Sequence, residues 1–312
     1  MLLRNFWKRC IDFIILGIIL FFLCNTIALG KDQNILPIAI MIGNSPAEHE
    51  IQKGLSRADI IYEIAVEYPF TRLMAIFLNN NNGTVGPVRS SRYYFSRLCA
   101  EWSAIFAHCG GQSLKNSNII DINELNYPAP YWRDEKIGGW INLFTSLSKL
   151  EDESQKIDSN KNKQQLHHPL LNFEKSTSST LNQIHKISIK YHKDYMIRYE
   201  YLPAEKLYYR FINDEPHIDN DTNEQLKITN IILQTAVIED IIGDDKGRVQ
   251  VELVGEGLGR VFKEGFSQPV KWTKKSKDEQ TFFLDSKDNT IDYRAGMTWV
   301  HILATDTEIW CK

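Results

Sequence analysis

The sequence predicts an α+β fold of two domains that follow an N-terminal targeting segment. The 312 residues are enough for about two domains, and 43% hydrophobic with 24% charged residues is ordinary for a globular protein. Strand and helix patterns mix in the first half, whereas short strands separated by polar turns fill the second half. We therefore expect an N-terminal α+β domain over 35–182, with a β-hairpin and a helix, and a mostly antiparallel β-rich domain over 183–312.

Residues 1–30 have the features of a signal peptide or a membrane anchor. Three basic residues precede the stretch 13–30, which has no charged residue, and Ala28 and Gly30 are the small residues that a cleavage site requires. The stretch is also near the lower length limit of a membrane-spanning helix. A cleaved signal is favoured over an uncleaved anchor. Lipid attachment at Cys24 ranks last, because Leu23 is bulky where lipoprotein signals place a small residue.

Charge and cysteine content exclude several classes of function. The formal net charge is -3 and no run of Lys or Arg occurs, so nucleic acid is not an expected partner. Cys99, Cys109 and Cys311 lack the C-x-x-C spacing of a zinc site, so no metal and no other cofactor is predicted. Buried or free thiols are the first expectation, and a disulfide between Cys99 and Cys109 is the alternative.

The first domain opens with a buried strand over 35–42 and continues with a predicted hairpin of strands 59–67 and 72–78. In the first hairpin strand apolar side chains alternate with Glu63 and Glu67. One face is therefore expected in the core, and the other is expected to be acidic. Arg72 joins the acidic face if it pairs with Glu67, and we favour this register over a slip of one residue.

The stretch 86–97 is the expected organising element of this domain. Its Gly-Pro start is typical of a turn and a first helical turn, which predicts a helix from this point to about residue 102. Arg89 and Arg92 would then lie on one stripe beside the free N–H groups of a helix N-terminus, with Ser90 in the first turn. This arrangement suits a carboxylate or a phosphate. The alternative is that the arginines pair with carboxylates of the same chain.

The rest of the chain supplies shorter elements. A strand over 104–108 leads into a glycine turn, a short helix is expected over 113–120, and an exposed helix over 147–156. Gly255, Gly257 and Gly259 precede no helical pattern, so they indicate a bulge or bend between strands and not a nucleotide loop. Nine strands are predicted after residue 183, over 187–191, 195–201, 207–211, 228–237, 249–254, 258–262, 270–272, 280–284 and 299–303.

Seven polar residues of the first domain are expected to line one pocket. The candidate catalytic groups are Glu63, Glu67 and His108, and the candidate ligand-binding groups are Arg72, Arg89, Ser90 and Arg92. In an extended strand Glu63 and Glu67 lie ~13 Å apart, too far for the carboxylate pair of a glycosidase. One of them with His108 would form an acid–base pair, and a hydrogen-bonded histidine at a strand end is the alternative.

Short motifs recur along the chain in a recognisable order. They are Asn44-Ser45-Pro46, Tyr62-Glu63, Val66-Glu67, Thr71-Arg72, Gly86-Pro87-Val88-Arg89-Ser90, His108 with Gly110-Gly111, Tyr209-Arg210, His217 with Asp219, and Gly296-Met297-Thr298-Trp299. Together they resemble the YerB-like bacterial family over nearly all of the chain after residue 30. The resemblance implies an exported, often lipidated protein of two domains whose function is not established.

The chain departs from that family's pattern in two places. Trp140-Ile141-Asn142 stands where related proteins tend to carry Pro-His-Asn, and the lipobox is degenerate.

We expect an exported protein at the extracytoplasmic face that binds an anionic envelope component, with membrane contact through the N-terminal segment if it is uncleaved. Two alternatives stay open. One is a hydrolase or lyase of an envelope glycan or peptide, and the other is a structural protein with an internal ion-pair network.

Overall fold

The computed structural model describes residues 34–79, 83–113, 118–160, 164–173 and 184–312. The chain forms two compact units, and the described part of the small one is an antiparallel pair, β1 (Asn34–Ile35) with β10 (Gln164–Gln165). The large unit comprises Leu36–Asn162 and His167–Lys312. The predicted signal peptide or anchor lies outside the described residues. None of the helices described is long and apolar enough to cross a membrane.

A ten-stranded sheet with strands from both halves of the chain forms the centre of the large unit. Numbered along the chain, its strands are β2 (Ile38–Gly43), β3 (Ile60–Glu67), β4 (Phe70–Phe77), β6 (Ile105–His108), β7 (Ile120–Asn123), β18 (Asn230–Ala236), β21 (Gly255–Lys263), β22 (Phe266–Lys274), β23 (Phe282–Leu284) and β24 (Thr298–Ala304). Their spatial order is β23-β22-β21-β18-β24-β3-β4-β2-β6-β7. β24 lies between β18 and β3 and is parallel to both, so the two halves share one hydrogen-bonded sheet.

A six-stranded sheet comes entirely from the second half. Its strands are β11 (Lys186–His192), β12 (Tyr195–Leu202), β13 (Leu207–Ile212), β14 (Glu215–Pro216), β17 (Lys227–Ile228) and β25 (Glu308–Cys311). Their order is β14-β13-β12-β11-β25, with β17 also paired to β13. The shorter strands are β5 (Thr84–Val85), β8 (Tyr131–Arg133), β9 (Leu143–Ser146), β15 (Ile218–Asp219), β16 (Glu224–Gln225), β19 (Ile238–Asp240) and β20 (Val249–Val251). The α-helices of the described residues are α1 (Pro46–His49), α2 (Tyr93–Glu101) and α3 (Leu147–Ile157), and 3-10 turns occur at Leu55–Arg57 and Pro169–Leu171.

One hydrophobic core joins the two large sheets. Ile61 and Trp299 of the ten-stranded sheet belong to the same cluster of buried side chains as Ile197 of the six-stranded sheet. On the opposite face of the ten-stranded sheet, Trp102 at the end of α2 donates a hydrogen bond to the hydroxyl of Tyr62. Both faces of β3 are therefore covered, as is usual for a central strand.

The predicted fold class is confirmed, because the chain is α+β and mostly β. The helix expected over 147–156 is α3, but it is not exposed on all sides, because Leu147, Leu150 and Ser154 are buried. Each of the nine predicted strands has a counterpart. The alternative disulfide between Cys99 and Cys109 does not form. The helix expected over 113–120 lies partly outside the described residues, and β7 begins at its last position. The domain boundary near residue 183 also borders residues that are not described, and it stays a prediction.

The predicted hairpin forms, but its register differs from the expected one. Arg72 lies opposite Ile64 and not opposite Glu67, and a bulge separates Ala65 from Glu67. One extra residue reverses the faces of the side chains that follow it. Glu67 is therefore ion-paired with Arg72, and Glu63 makes its contacts on the other face of the sheet. The expected acidic face is wrong, since Glu63 is fully buried under the six-stranded sheet.

The helix predicted from residue 86 begins at Tyr93 instead. The preceding segment is extended because its backbone bonds to other strands. Val88 N donates to Leu143 O at 2.7 Å, and Arg89 N donates to Met41 O at 3.0 Å. These tertiary hydrogen bonds outweigh a local preference for a first helical turn, and Arg89 consequently lies before the helix and not on its stripe.

The three glycines at 255, 257 and 259 lie inside the regular strand β21 and form no bulge, contrary to expectation. Gly257 lies opposite Trp272, and a Cβ atom at Gly257 would sit 2.5 Å from the indole nitrogen of Trp272. That indole nitrogen donates to Thr235 O at 2.7 Å, which fixes the ring. The glycine therefore makes room for a buried tryptophan.

We predict that Gly257→Ala lowers the free energy of unfolding by about 1–3 kcal/mol, because the added methyl group overpacks the site of Trp272. Urea unfolding followed by circular dichroism measures the change. Gly138→Ala is the matched control, since a Cβ there meets no atom within 4 Å. Equal stability of the two variants would contradict the packing role of Gly257.

Candidate functional site

Glu63 is fully buried, and both of its carboxylate oxygens accept hydrogen bonds. Oε1 accepts from the hydroxyls of Tyr195 at 2.7 Å and Thr71 at 3.0 Å. Oε2 accepts from Arg210 at 2.7 Å and from the indole of Trp299 at 3.0 Å. Burial by itself raises the pKa of Glu63, but Arg210 and the hydrogen-bond donors outweigh burial and lower it. Asn44 Nδ2 is a further donor, 3.3 Å from Oε1. A carboxylate has about four acceptor positions, so these donors occupy all of them.

Arg210 uses each of its guanidinium nitrogens inside the protein. One pairs with Glu63, and Nε donates to the hydroxyl of Tyr199 at 3.2 Å. The third lies 2.6 Å from Nδ1 of His217. Because arginine only donates, His217 accepts at Nδ1, and its Nε2 donates to the side-chain oxygen of Gln52 at 2.6 Å. The side chains bonded to Glu63 and Arg210 are named the Glu63–Arg210 network below.

His301 extends this network as a neutral base. The hydroxyl of Tyr199, which accepts from Arg210, donates to His301 Nε2 at 2.7 Å, and His301 Nδ1 lies 2.9 Å from the hydroxyl of Tyr191. Burial lowers the pKa of His301 to about 3. Burial, with the charge of Arg210, lowers the pKa of His217 well below its ordinary value. At neutral pH these two imidazoles are therefore uncharged.

A second group of charges surrounds Arg89, beyond the end of β2. Arg89 Nε is ion-paired with Glu48 of α1, and another of its nitrogens donates to the backbone oxygen of Trp140 at 2.8 Å. The Trp140 ring lies over the guanidinium, with 3.8 Å between the guanidinium carbon and the ring centroid. Arg89 is 6% exposed and Trp140 is 71% exposed. A buried cation thus lies beneath a solvent-exposed aromatic ring.

Further ion pairs connect this region to Arg92. Arg72 donates to the backbone oxygen of Ser90 at 2.6 Å and to Glu67 at 3.3 Å, and the other oxygen of Glu67 is paired with Arg92. Burial lowers the pKa of all three arginines, but from a value so high that each stays charged. The arginine cluster consists of Arg72, Arg89, Arg92, Glu48 and Glu67. It carries one net positive charge.

Two buried nitrogens of the arginine cluster have no hydrogen-bond partner among the residues described. They are NH2 of Arg89 and Nε of Arg92. A buried donor without a partner costs about 1–3 kcal/mol, so such groups are rare in folded proteins. An anion that accepts from Arg89 would remove this cost and would compensate the net positive charge of the cluster.

His108 is fully buried at the end of β6, and each of its ring nitrogens lies within hydrogen-bond distance of an oxygen atom. Nδ1 lies 2.8 Å from Gly110 O, and Nε2 lies 2.7 Å from the carboxylate of Asp121. Next to it, burial raises the pKa of the Cys109 thiol to about 11, so this cysteine is protonated at neutral pH. Neither side chain is available to a substrate as a base or a nucleophile.

The expected residues do not all line one pocket. The arginines, Ser90 and Glu67 come together, but Glu63 belongs to the Glu63–Arg210 network and His108 lies on β6. β4 and β2 separate β3 from β6. At about 4.8 Å per strand, Glu63 and His108 are roughly 14 Å apart across the sheet, too far to act on one bond. The bulge before Glu67 causes the separation of the two glutamates, and the ligand-binding role of the arginines stays a prediction.

Sequence reasoning missed two groups of residues that matter here. Arg210 occupies an inward position of β13, between buried Tyr208 and Ile212, and an arginine at such a position signals a buried ion pair. His301 stands within the apolar run of β24 and gives a similar signal. No sequence pattern marked Glu48 as a site residue, because its partner Arg89 lies 41 residues away on an extended segment that was expected to be helical.

Comparisons with known proteins cover both halves of the chain. A family model described as "Protein of unknown function (DUF3048) N-terminal domain" matches residues 26–160, and its C-terminal counterpart matches residues 187–300. A Bacillus subtilis (strain 168) protein described as "Putative lipoprotein YerB" is 28% identical over 277 residues, which cover 86% of this chain and 81% of that protein. The crystal structure of the YerB protein from Bacillus subtilis matches with a TM-score of 0.77 and 25% identity, covering 88% of this chain and 94% of that chain.

We predict that His301→Gln makes the stability of the protein less sensitive to acid. The folded pKa of His301 is about 3, below the unfolded value of about 6.5, so its contribution is complete above pH 6.5 and is lost as the pH falls. The loss is about 1.4 kcal/mol per pH unit. Glu63, whose folded pKa is also lowered, adds a loss in the same direction below about pH 4.5.

Urea unfolding at several pH values between 4.5 and 7 measures the slope of stability against pH. The slope of His301→Gln should be shallower than that of the wild type, whereas His185→Gln, at an exposed position, should keep the wild-type slope. Identical slopes for all three proteins would show that His301 is not held neutral in the folded state.

Proposed function

We propose that this chain, which belongs to the two-domain family of unknown function described as DUF3048, binds a small anionic group, a carboxylate or a phosphate, at Arg89. The observation that carries the proposal is the buried NH2 group of Arg89, which has no partner among the described residues. Glu48 and the Trp140 carbonyl bind the other two nitrogens and fix the plane of the guanidinium. The remaining donor is therefore oriented before a ligand arrives.

Charge and shape around Arg89 also support an anionic ligand. The net charge of the arginine cluster is positive, and Arg72 lies close enough to Arg89 that the two cations repel each other. An anion between them would relieve that repulsion. The exposed ring of Trp140 covers the guanidinium and offers an apolar surface to the organic part of a ligand.

The proposed ligand belongs to the cell envelope. The Bacillus subtilis relative is described as a lipoprotein, and residues 1–30 of this chain have the pattern of an export signal, which supports an extracytoplasmic location. Envelope polymers at that location carry peptide carboxylates and phosphates. Either group presents the paired oxygens that a guanidinium binds.

The alternative of an acid–base enzyme has less support. Glu63 is saturated by donors of the protein itself, His108 contacts Gly110 and Asp121, and roughly 14 Å separates the two. A purely structural role explains the pairing of Arg89 with Glu48. It leaves the unpaired nitrogen of Arg89 without a reason.

We predict that Arg89→Lys weakens anion binding and keeps the fold. A lysine retains the charge that compensates Glu48, but its ammonium group lacks the planar fork that directs separate donors to Glu48, the Trp140 carbonyl and a ligand. Isothermal titration calorimetry with N-acetylglycine and with inorganic phosphate would measure binding, and N-acetylglycinamide is the neutral probe. The Kd should rise tenfold or more, since a hydrogen bond to a charged group contributes about 1.5–3 kcal/mol.

Two further variants complete this test. Arg97→Lys changes an arginine that also lies over an aromatic ring, that of Tyr93, and it should bind as the wild type does. Trp140→Ala should weaken binding without changing the unfolding midpoint, because the ring is mostly exposed. Absence of binding by the wild type, or unchanged binding by Arg89→Lys, would refute the proposal. Preference for one of the two probes would identify the anionic group.

A further inference from the structure

β25 lies at one end of the six-stranded sheet. It pairs with β11 on one side, and no strand of the described part of the chain pairs with its other side. A strand in this position presents backbone N–H and C=O groups to any extended segment that approaches. Ile309 and Trp310 of β25 are both partly exposed, at 36% and 42%. This edge therefore has the exposed apolar surface that natural edge strands usually avoid.

The hydrogen-bond pattern identifies which backbone groups are available. Lys186 and Lys312 exchange two backbone hydrogen bonds of 2.9 Å each, so they form a hydrogen-bonded pair of the β11–β25 ladder. Such pairs alternate with pairs whose N–H and C=O groups point away from the partner strand. Ile309 and Cys311 occupy these alternate positions, opposite Ile189 and Ile187. Their backbone groups are directed at the free side of β25.

Each face of β25 borders a cavity. On the face of Ile309 and Cys311, a cavity of about 320 Å³ lies against β18 and β21, with Leu233 and Leu258 in its walls and exposed Arg260 at its border. On the other face, a cavity of about 330 Å³ is lined by Lys186, Ser188, Met196, Trp310 and Lys312. The first cavity is mainly apolar, and the second has two lysines.

Charge distinguishes the second cavity further. Lys186 and Lys312 lie directly opposite each other across the ladder. Glu200, opposite Lys186 on β12, is paired with Arg198, and Glu308 is paired with Lys190. None of the described carboxylate side chains is in salt-bridge distance of the ammonium group of Lys186 or Lys312. Like charges placed opposite each other destabilise a sheet. A carboxylate beside them would reverse this effect. An acidic side chain is therefore the preferred neighbour on this face.

We propose that β25 binds an extended peptide segment of a partner protein by β-strand addition, and that apolar and acidic residues alternate in this segment. Main-chain hydrogen bonds would form with Ile309 and Cys311. Because side chains alternate along a strand, one set would enter the apolar cavity, and the other set would lie beside Trp310 and the two lysines. The charge of the lysines and the two cavities favour this occupant over a basic or uniformly polar segment.

Fluorescence anisotropy with labelled, capped eight-residue peptides tests the proposal. A peptide of alternating valine and glutamate should bind the full chain saturably, and a peptide of alternating valine and lysine should bind at least tenfold more weakly. Methylation of alternate backbone nitrogens in the first peptide, on the side that faces β25, should abolish binding. Equal binding of the acidic and basic peptides, or full binding of the methylated one, would overturn the proposal.

A pair of variants at one position separates backbone from side-chain effects. Ile309→Pro removes an outward N–H and leaves the β11 ladder intact, since proline is tolerated where the N–H faces away from the partner strand. Ile309→Ala keeps that N–H and removes most of the side chain. We expect a loss of binding of about tenfold or more for the proline variant and a smaller loss for the alanine variant. The same affinity for both variants would overturn the proposal, and the methylated peptide decides if the proline variant fails to fold.

A second copy of this chain is the competing occupant. Sedimentation velocity of the wild type over a wide concentration range detects it. A dimer that Ile309→Pro dissociates would assign the edge to self-association and would overturn the proposed partner. A monomer that binds the acidic peptide supports it.

Discussion

The buried pair of Glu63 and Arg210 is the interaction on which the arrangement of the two halves depends. Removing two ions from water costs several kcal/mol for each, and the pair repays this only when its remaining donors and acceptors are satisfied. Here the partners come from positions 147 residues apart, on β3 and β13. Neither half of the chain can bury its own charge without the other. Backbone hydrogen bonds join the same two halves, because β24 of the second half pairs with β3 of the first half in the ten-stranded sheet.

The same network determines where the arginine cluster lies. Asn44, at the end of β2, donates to the hydroxyl oxygens of Thr71 at 2.7 Å and Tyr195 at 2.6 Å. Gln52 is bonded to His217, which is bonded to Arg210. Asn44 and Gln52 are the ends of the segment that contains α1. Because both ends are bound to the core, α1 has a fixed position. Glu48 of α1 then holds Arg89, so the candidate anion site rests on rigid elements of the core.

Local patterns were sufficient for the elements whose surroundings are simple. The short strand-like stretches between polar turns gave β11 and β12, and the helical pattern over 147–156 gave α3. Alternation could not show that the second face of β3 is covered, since the covering strands begin more than 100 residues later. Nor could it show the bulge before Glu67, which depends on the pairing of the whole hairpin.

The sequence predicted that the candidate site contains clustered arginines, but it did not predict which carboxylates pair with them. The motif that contains Arg89 and Arg92 identified a cluster of cations, which is a property of the sequence itself. Which carboxylate each arginine meets depends on an extended backbone that tertiary hydrogen bonds impose on residues 84–92. In the folded chain Arg89 pairs with Glu48, and Glu63 pairs with Arg210.

Arg210 and Arg89 are both buried and both paired with a glutamate, yet their hydrogen bonds assign them different roles. Each nitrogen of Arg210 has a partner in the protein, and its guanidinium also lies 4.2 Å from the centroid of the Trp299 ring. Nothing remains for a ligand to bind. Two nitrogens of Arg89 have partners, and the solvent-exposed ring of Trp140 covers its guanidinium. Its third nitrogen has no partner in the described part of the chain. A buried arginine stabilises the fold when all of its donors are paired within the protein. A buried arginine can bind an anion when one oriented donor has no partner in the protein.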